Sequence, residues 1–260
     1  MTKILFPILI ILFGAISPKE RIVYLSAADD FTTDHLGNIY VIKKSSLVKY
    51  TRGDSTTVSF SNIDIRDISY VDAKDPLKIL VFDKENQKIA FIDNSLSLRS
   101  DIIFLSDLGF ENITNSCSSQ KEGFWIYDAS EFQISRYDSY LKPAATSGNI
   151  VQVTGKEIHP VYMLEENNNL YINDPEIGLL VFDVFGTFIK TIRVNIPGKF
   201  QVRAGNLIWF DGKHLKTMNL IIGEENFITL PKENITFVRL EQDKLFIRSE
   251  NLIREVNISN

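Results

Sequence analysis

Residues 79–93 read Ile-Leu-Val-Phe-Asp-Lys-Glu-Asn-Gln-Lys-Ile-Ala-Phe-Ile-Asp. Two short runs of aliphatic and aromatic residues flank a polar stretch, which extends from Lys84 to Gln87. Short apolar runs on both sides of a polar cluster are typical of two antiparallel β-strands joined by a turn. We therefore interpret this stretch as a β-hairpin and as one unit of the fold.

The same unit recurs along the chain. The first strands of the other copies are residues 37–42, 123–128, 169–174, 205–211 and 244–249. The residues that enter the turns lie at positions 43, 83, 128, 174, 211 and 249, so the copies follow one another at intervals of 37 to 46 residues. A repeat of about 40 residues with several short strands is the signature of propeller blades. Six copies predict six blades.

The segments between the copies supply further strands, and they indicate how the ring closes. Residues 66–71 are a predicted inner strand, and residues 98–105 are a predicted outer strand. The sixth copy is one strand short of a four-stranded blade, whereas residues 21–26 form an unpaired strand before the first blade. Pairing these two ends removes exposed sheet edges. The sequence therefore predicts an all-β, six-bladed β-propeller over residues 21–260, closed by an N-terminal strand that completes the last blade.

The second copy resembles an NHL repeat, in which an apolar strand is followed by Asp, a polar turn with Asn, a basic residue, Ile and an aromatic residue. Asp83, Asn86, Lys88, Ile89 and Phe91 match this pattern. The other copies keep the period but lose parts of the motif. The resemblance implies a six-bladed fold with degenerate repeats, and it implies no particular activity.

Composition and charge restrict the function classes. The chain has 260 residues, is 44% hydrophobic and carries 28 basic and 33 acidic residues, with a formal net charge of −5. Because no basic stripe is present for a phosphate backbone, we do not expect a nucleic-acid partner. The single cysteine, Cys117, allows no intrachain disulfide, and we interpret it as a small apolar core residue.

The N-terminus has the pattern of a secretory signal peptide. Lys3 precedes an apolar run over residues 4–16, and small and polar residues follow it. Thirteen apolar residues are too few to span a bilayer comfortably. We therefore predict a signal peptide over residues 1–17, export to the periplasm, the cell surface or the medium, and no stable membrane span after processing. The alternative interpretation of the apolar run is a buried helix or strand of the folded domain.

Four carboxylates are the candidate ligand residues. They occupy the same place in successive copies, at the turn between the second and third strands of a blade, and are Asp83, Asp128, Asp174 and Asp211. One interpretation is a ring of carboxylates on one face of the propeller, which could hold a cation or a basic partner. The other, which the repetition favours, is that each Asp caps its own turn.

The sequence contains no recognised catalytic or metal motif. His35, His159 and His214 fall in different copies without metal-ligand spacing, and no G-x-S-x-G presents a nucleophilic serine. We therefore predict no catalytic, metal or cofactor-binding residues and no cofactor.

Two function classes remain. The first, which we favour at this point, is an exported, non-catalytic binding or scaffold propeller that engages a protein, peptide or glycan, because the loops of a propeller supply recognition surfaces without catalytic groups. The alternative is a secreted hydrolase or lyase whose central site is assembled from several blades, which no local motif would reveal. The sequence leaves the oligomeric state open.

Overall fold

A computed structural model describes residues 20–25, 28–53, 56–231, 233–250 and 252–258. Within these residues, 24 strands form six four-stranded antiparallel sheets. The sheets are the blades of a six-bladed β-propeller, which confirms the predicted fold class. The predicted signal peptide, residues 1–17, lies outside the described residues and stays a prediction.

β1 (Glu20–Leu25) precedes the first blade in the chain. The strands of the first three blades, from inner to outer edge, are β2 (Asp30–Thr33), β3 (Ile39–Lys43), β4 (Ser46–Tyr50) and β5 (Thr57–Ser61); β6 (Tyr70–Asp72), β7 (Ile79–Asp83), β8 (Lys88–Ile92) and β9 (Ile103–Phe104); β10 (Ile113–Ser118), β11 (Phe124–Asp128), β12 (Gln133–Tyr137) and β13 (Pro143–Thr146). The strands of the last three blades are β14 (Tyr162–Glu166), β15 (Asn169–Asp174), β16 (Gly178–Asp183) and β17 (Phe188–Ile192); β18 (Phe200–Arg203), β19 (Asn206–Phe210), β20 (His214–Asn219) and β21 (Glu225–Thr229); β22 (Ile235–Glu241), β23 (Lys244–Ser249) and β24 (Leu252–Asn257), with β1 outside β24.

The ring closes as the strand count predicts. The sheet order of the sixth blade is β1-β24-β23-β22, so the first strand of the described chain is the outer strand of the last blade. β1 runs antiparallel to β24, from the pair Glu20 and Val256 to the pair Leu25 and Leu252. Both ends of the described chain are thereby held in one sheet, and closure removes a free edge at β24.

The core consists of six apolar clusters, one between each pair of neighbouring blades. The second strands are buried on both faces because each packs between two blades, and all five residues of β7 are buried. Outer strands such as β5 and β21 are mostly exposed. Six aromatic residues of the repeated motif are buried in these clusters: Tyr40, Phe82, Trp125, Tyr171, Trp209 and Phe246. Cys117 is also completely buried, as its interpretation as a core residue requires.

Two strands of the second blade are shorter than predicted. Residues 66–71 are a predicted inner strand, but β6 begins only at Tyr70, because the backbone N–H groups of Arg66 and Asp67 donate to Asp83 instead of to a neighbouring strand. Residues 98–105 are a predicted outer strand, but only two residues form β9. A 3-10 helix, Leu105–Leu108, follows directly.

Helical structure is minor in the described residues. Besides the 3-10 helix, α1 (Val151–Thr154) makes a single turn between the third and fourth blades. Neither helix is long enough to cross a membrane, and no other helix of the described chain could do so.

Candidate functional site

The first candidate ligand residue, Asp83, is completely buried. Its Oδ2 atom accepts hydrogen bonds from the backbone N–H groups of Arg66 at 2.8 Å and Asp67 at 3.1 Å. Its Oδ1 atom accepts one from the backbone N–H of Asn86 at 3.0 Å. The carboxylate therefore ties its own turn to the loop that arrives from the first blade.

Asp174 has an equivalent set of partners in the fourth blade. It accepts the backbone N–H of His159 at 2.7 Å, from the preceding interblade loop, and that of Glu176 at 2.8 Å, from its own turn. Asp128 lies nearer to the surface and accepts the backbone N–H of Ser130 at 2.8 Å. These contacts are those of a turn cap.

Asp211 is the fourth member of the set. Its Oδ1 atom accepts the backbone N–H groups of Lys213 at 2.8 Å and His214 at 2.7 Å. No group of three or more His, Cys, Asp and Glu side chains among the described residues could hold a metal ion. The interpretation of the four carboxylates as a ring that could hold a cation or a basic partner stays a prediction.

A different set of residues converges on the central channel. The inner strands of the six blades surround the axis, so the same position in each strand faces the same level of the channel. All six inner strands end in a polar residue: Thr33, Asp72, Ser118, Glu166, Arg203 and Glu241. These ends place polar side chains from every blade around one mouth.

This mouth contains a cavity of about 190 Å³, which we call the network cavity. Its centre is Glu241, whose Oε1 atom accepts a hydrogen bond from the Thr33 hydroxyl at 2.7 Å and lies 3.3 Å from an Arg239 guanidinium nitrogen. Arg239 Nε donates to the Thr33 hydroxyl oxygen at 2.7 Å. All three side chains are at least nine-tenths buried. A buried carboxylate and a buried cation thus neutralise each other.

The neighbouring blades extend the network. Gln201 Nε2 donates to Glu241 Oε1 at 3.0 Å, and Arg203 lies 3.7 Å from the other carboxylate oxygen. On the opposite wall, Lys74 forms an ion pair with Glu166. Burial lowers the pKa of Lys74, and neighbouring carboxylates oppose this shift. The positive charges of the network cavity are therefore largely matched by neighbouring carboxylates.

An aromatic layer closes the bottom of the network cavity. Tyr70 and Tyr162, the first residues of β6 and β14, pack edge to face with their centroids 5.4 Å apart, and the Tyr70 hydroxyl donates to that of Tyr162 at 3.2 Å. Phe200, the first residue of β18, packs edge to face on Tyr162 at 5.1 Å. This layer divides the channel into two cavities.

The second cavity, about 350 Å³, lies on the other side of the tyrosine pair, and we call it the lysine cavity. Its lining comes from blades two to five and includes Tyr70, Lys84, Asn115, Tyr162 and Lys199. Lys84 belongs to the turn that follows β7, so the cavity opens on the face that carries the four recurring aspartates. Its size is that of a small-molecule site.

Lys199 is the basic residue of this cavity whose pKa departs most from its ordinary value. Its ammonium group forms an ion pair with Asp30. A guanidinium nitrogen of Arg248 lies 3.8 Å from the other carboxylate oxygen of Asp30, so two cations share one carboxylate. Burial, followed by the charges of Arg239 and Arg248, lowers the pKa of Lys199 to about 7. The ion pair with Asp30 favours the charged form of the amine. An amine in this state can exchange protons near neutral pH.

The two tyrosine hydroxyls keep their protons at neutral pH. Burial raises the pKa of Tyr70 well above its usual range, and the proximity of Tyr162 adds to this shift. Burial also raises the pKa of Tyr162, although Arg239 opposes it. The lysine cavity therefore combines an amine that can accept a proton with hydroxyl groups that can donate one, which are the two components of acid–base catalysis.

Sequence reasoning missed these residues. Lys199, Asp30 and Tyr162 belong to no motif and are up to 169 positions apart. The sequence could indicate these residues only through their place in the strands. Asp30, Tyr70 and Tyr162 are each the first residue of an inner strand, and Lys199 directly precedes one. The inner strands would first have to be placed accurately for this signal to be read.

The predicted fold class is supported by solved structures of propeller proteins, although no family model and no curated protein matches the chain. An inactive variant of virginiamycin B lyase from Staphylococcus aureus with quinupristin aligns with a TM-score of 0.65 and 10% identity, covering 94% of this chain and 100% of that one. A gluconolactonase from Xanthomonas campestris aligns with a TM-score of 0.61 and 11% identity, covering 92% of this chain and 89% of that one. The AfRom2 CNH domain aligns with a TM-score of 0.50 and 10% identity, covering 93% and 100%.

These neighbours correct the predicted function. The prediction of a non-catalytic binding or scaffold propeller without enzymatic activity is contradicted, because a lyase and a gluconolactonase are among the structures that share the fold. They favour the alternative, a hydrolase or lyase with a central site assembled from several blades. At 10 to 12% identity, the likeness to these enzymes establishes the fold alone. The activity of this chain must therefore be argued from its own residues.

Proposed function

We propose that this protein is an exported enzyme of the hydrolase or lyase class and that the lysine cavity is its active site. The observation that carries the proposal is the position of Lys199, a partly buried amine that shares one carboxylate with Arg248 and lines a cavity with two tyrosine hydroxyls. Strongly perturbed ionisable groups in a cleft are typical of catalytic sites.

In both hydrolysis and elimination, the Lys199 amine and the Tyr162 hydroxyl would have the same roles. The neutral Lys199 amine takes a proton, either from a water molecule that attacks an ester or lactone carbonyl, or from a carbon next to a leaving group. The hydroxyl of Tyr162 donates a proton to the oxygen that departs. The pair of Tyr70 and Tyr162 is fixed by its mutual hydrogen bond, which supports a preorganised proton donor.

The network cavity supports this site from the other side of the aromatic layer. Arg239 lies in the hydrogen-bonded network and also lowers the pKa of Lys199, so it connects the two cavities electrostatically. Because Arg239 is held by Thr33 and Glu241, its positive charge stays fixed relative to Lys199. We assign the network a positioning role.

The test is a comparison of activities across a panel of esters, lactones and elimination substrates. The panel includes a gluconolactone and quinupristin, because the similar structures are a gluconolactonase and a virginiamycin B lyase with quinupristin. We expect at least one substrate to be turned over, with kcat/KM reduced about 100-fold or more in Lys199→Met, since a general base contributes about 10²- to 10⁴-fold. Lys190→Met, an exposed residue of β17, is the matched control and should retain activity.

Two results would contradict the proposal. One is equal loss of activity in the Lys199 and Lys190 variants, which would place the chemistry elsewhere. The other is a folded protein that turns over no member of the panel. Circular dichroism and a thermal melt of each variant separate loss of activity from loss of structure.

We also propose export, supported by the charged start and the apolar run over residues 4–16. The first 30 residues, fused to a reporter that is active only outside the cytoplasm, should give activity, and a silent reporter would contradict export. We further propose that the blades are degenerate NHL-like repeats. The motif of the second copy, from Asp83 to Phe91, supports this assignment.

A further inference from the structure

We infer that the face of the propeller at which the network cavity opens binds the surface of a lipid bilayer. We call it the network face. The inference is independent of the proposed active site, because the lysine cavity opens on the opposite face. Three features lead to it: exposed apolar side chains at the turns, the hydrogen bonds that hold these turns, and the place at which the N-terminal part of the chain joins the propeller.

The network face is formed by the turns that follow the first and third strands of the blades. Because successive strands of a blade are antiparallel, these turns lie at the same end of the sheet. Five blades expose large apolar side chains there, and these are Leu36, Leu77, Tyr140, Leu141, Phe185, Ile221 and Ile222. Among the described residues, the loops of the opposite face expose Ile63, Val153 and Val161. Exposed apolar residues that concentrate on one face indicate an interaction surface.

Five of these turns are held by the same hydrogen bond. An Asp or Asn side chain accepts the backbone N–H of the residue two positions later, at 2.8 to 2.9 Å. The pairs are Asp34 with Leu36, Asp75 with Leu77, Asp138 with Tyr140, Asp183 with Phe185 and Asn219 with Ile221. The turn is fixed by its polar residue, and the apolar residue is left in the solvent.

The opposite face provides an internal comparison. Three of its turns between second and third strands make the same hydrogen bond, and the residue two positions later is polar and exposed. These pairs are Asp128 with Ser130, Asp174 with Glu176 and Asp211 with Lys213. On the network face, Asp72 and Asp93 also make this bond, to the polar residues Lys74 and Ser95. The turn geometry therefore does not require an apolar residue, and the five apolar residues need another explanation.

The N-terminal part of the chain points to a bilayer as the partner. β1 begins at Glu20, which pairs with Val256, and the backbone N–H of the nearby Ile258 donates to Asp243 in a turn of the network face. The chain therefore enters the propeller at this face. The apolar run over residues 4–16 ends four positions before Glu20, and four peptide units span at most about 14 Å. When this run is in a membrane, as the predicted signal peptide is during export, the network face lies close to that membrane.

The chemistry of the turns also fits lipid. The exposed side chains are aliphatic or aromatic and stand on separate turns, so each can enter an apolar phase without a matching pocket. Tyr140 and Phe185 are of the aromatic kind that lies favourably between lipid head groups and acyl chains. Exposed charges of both signs lie in the same turns, such as Lys121, Glu122 and Lys142. Because basic residues do not predominate, attraction to anionic lipid is not needed, and zwitterionic lipid should suffice.

The first experiment measures which face contacts lipid in the full chain. Because the only cysteine, Cys117, is completely buried, an introduced cysteine can be labelled selectively with a fluorophore. Ser95→Cys and Ser130→Cys are a matched pair, since both serines are exposed and follow the Asp of a turn by two positions, but on opposite faces. On phosphatidylcholine vesicles that contain brominated lipid, we expect the label at position 95 to be quenched at least about threefold more than that at position 130. Equal quenching would overturn the inference.

The second experiment measures how much the apolar turns contribute to binding. A full chain with Phe185→Ser, Ile221→Ser and Ile222→Ser should bind the vesicles about tenfold or more weakly, because burial of even one large apolar side chain changes an equilibrium constant about tenfold. The control carries Ile63→Ser and Val161→Ser, exposed on the opposite face, and should bind like the wild type. All these residues are exposed, so circular dichroism and thermal melts should show unchanged folds.

Two results of the second experiment would contradict the inference. Equal binding of the triple variant and the wild type would leave residues 4–16 as the attachment and exclude the network face. Self-association of the wild type without vesicles, lost in the triple variant, together with unchanged vesicle binding, would assign this face to a second copy of the chain.

Discussion

Removal of the closing strand should destabilise the whole propeller. A chain that lacks residues 1–26 has no β1, whereas a chain that lacks residues 1–17 keeps it. Five registered residue pairs join β1 to β24, and a ladder of this length contributes about 5 kcal/mol at about 1 kcal/mol per hydrogen bond. Loss of the edge-to-face contact between Tyr24 and Tyr50 adds about 1 kcal/mol. A domain has only about 5 to 15 kcal/mol of stability, so a loss of about 6 kcal/mol should leave the shorter chain marginally stable, with the edge of β24 exposed.

Urea unfolding followed by tryptophan fluorescence and circular dichroism measures this effect. Trp125 and Trp209 lie in the third and fifth blades, outside the sixth blade that β1 completes, so their fluorescence reports on the rest of the ring. We expect both signals of the shorter chain to shift together to lower urea, whereas the chain without residues 1–17 shows wild-type stability. Equal midpoints for the two truncated chains would refute the closure. An unchanged fluorescence transition with a shifted dichroism signal would show that closure stabilises only the last blade.

Three further predictions concern turns and charge. Gly123 and Gly205 both have φ near +75°, but a Cβ on Gly123 would lie 1.8 Å from a backbone carbonyl oxygen, whereas one on Gly205 meets open space. In urea unfolding, Gly205→Ala should cost about 1 to 2 kcal/mol and Gly123→Ala at least about 2 kcal/mol more, and equal losses would contradict the close approach. Asp83→Ala should cost about 2 to 3 kcal/mol, because it removes a buried carboxylate that accepts three backbone N–H groups, and Asp128→Ala about 1 kcal/mol. Loss of ligand binding without loss of stability would instead support the carboxylate ring. Burial and two guanidinium groups lower the pKa of Lys199 to about 7. The unfolded chain therefore binds the extra proton above pH 7, and the free energy of unfolding of the wild type, relative to Lys199→Met, should rise between about pH 7 and 9.5. A flat difference over this range would mean that Asp30 keeps the amine charged.

Much of the fold was predictable from the sequence because each blade repeats the same local pattern. The apolar strand that ends in Asp83 and the polar turn after it are decided by residues close together in the chain. The count of strands then required that residues 21–26 close the ring. The outer and inner strands of the second blade were predicted less accurately. Their ends depend on side-chain contacts such as that of Asp83 with the backbone of Arg66, which sequence periodicity does not record.

The candidate site was not predictable in the same way, because it contains no repeat. The sequence contains no catalytic motif, and its recurring carboxylates are Asp83, Asp128, Asp174 and Asp211. Recurrence selects residues that stabilise every blade, whereas the lysine cavity is lined by different side chains from blades two to five. Lys199 has no counterpart in the repeated motif, and burial and neighbouring charges lower its pKa only after the ring has formed.

Ring closure and the surroundings of Lys199 are therefore connected in this molecule. Asp30 and Thr33 come from the first blade, yet their partners Lys199 and Glu241 come from the fifth and sixth. The contact between Thr33 and Glu241 joins the first and sixth blades, and the ion pair of Asp30 and Lys199 joins the first and fifth across the channel. β1 holds the last blade in the position that brings Glu241 to Thr33, and Arg239, fixed in that network, acts on Lys199. A substitution that loosens β1 without unfolding the protein should thus raise the pKa of Lys199 towards that of an ordinary lysine before any blade is lost, because desolvation and the fixed guanidinium charge weaken together.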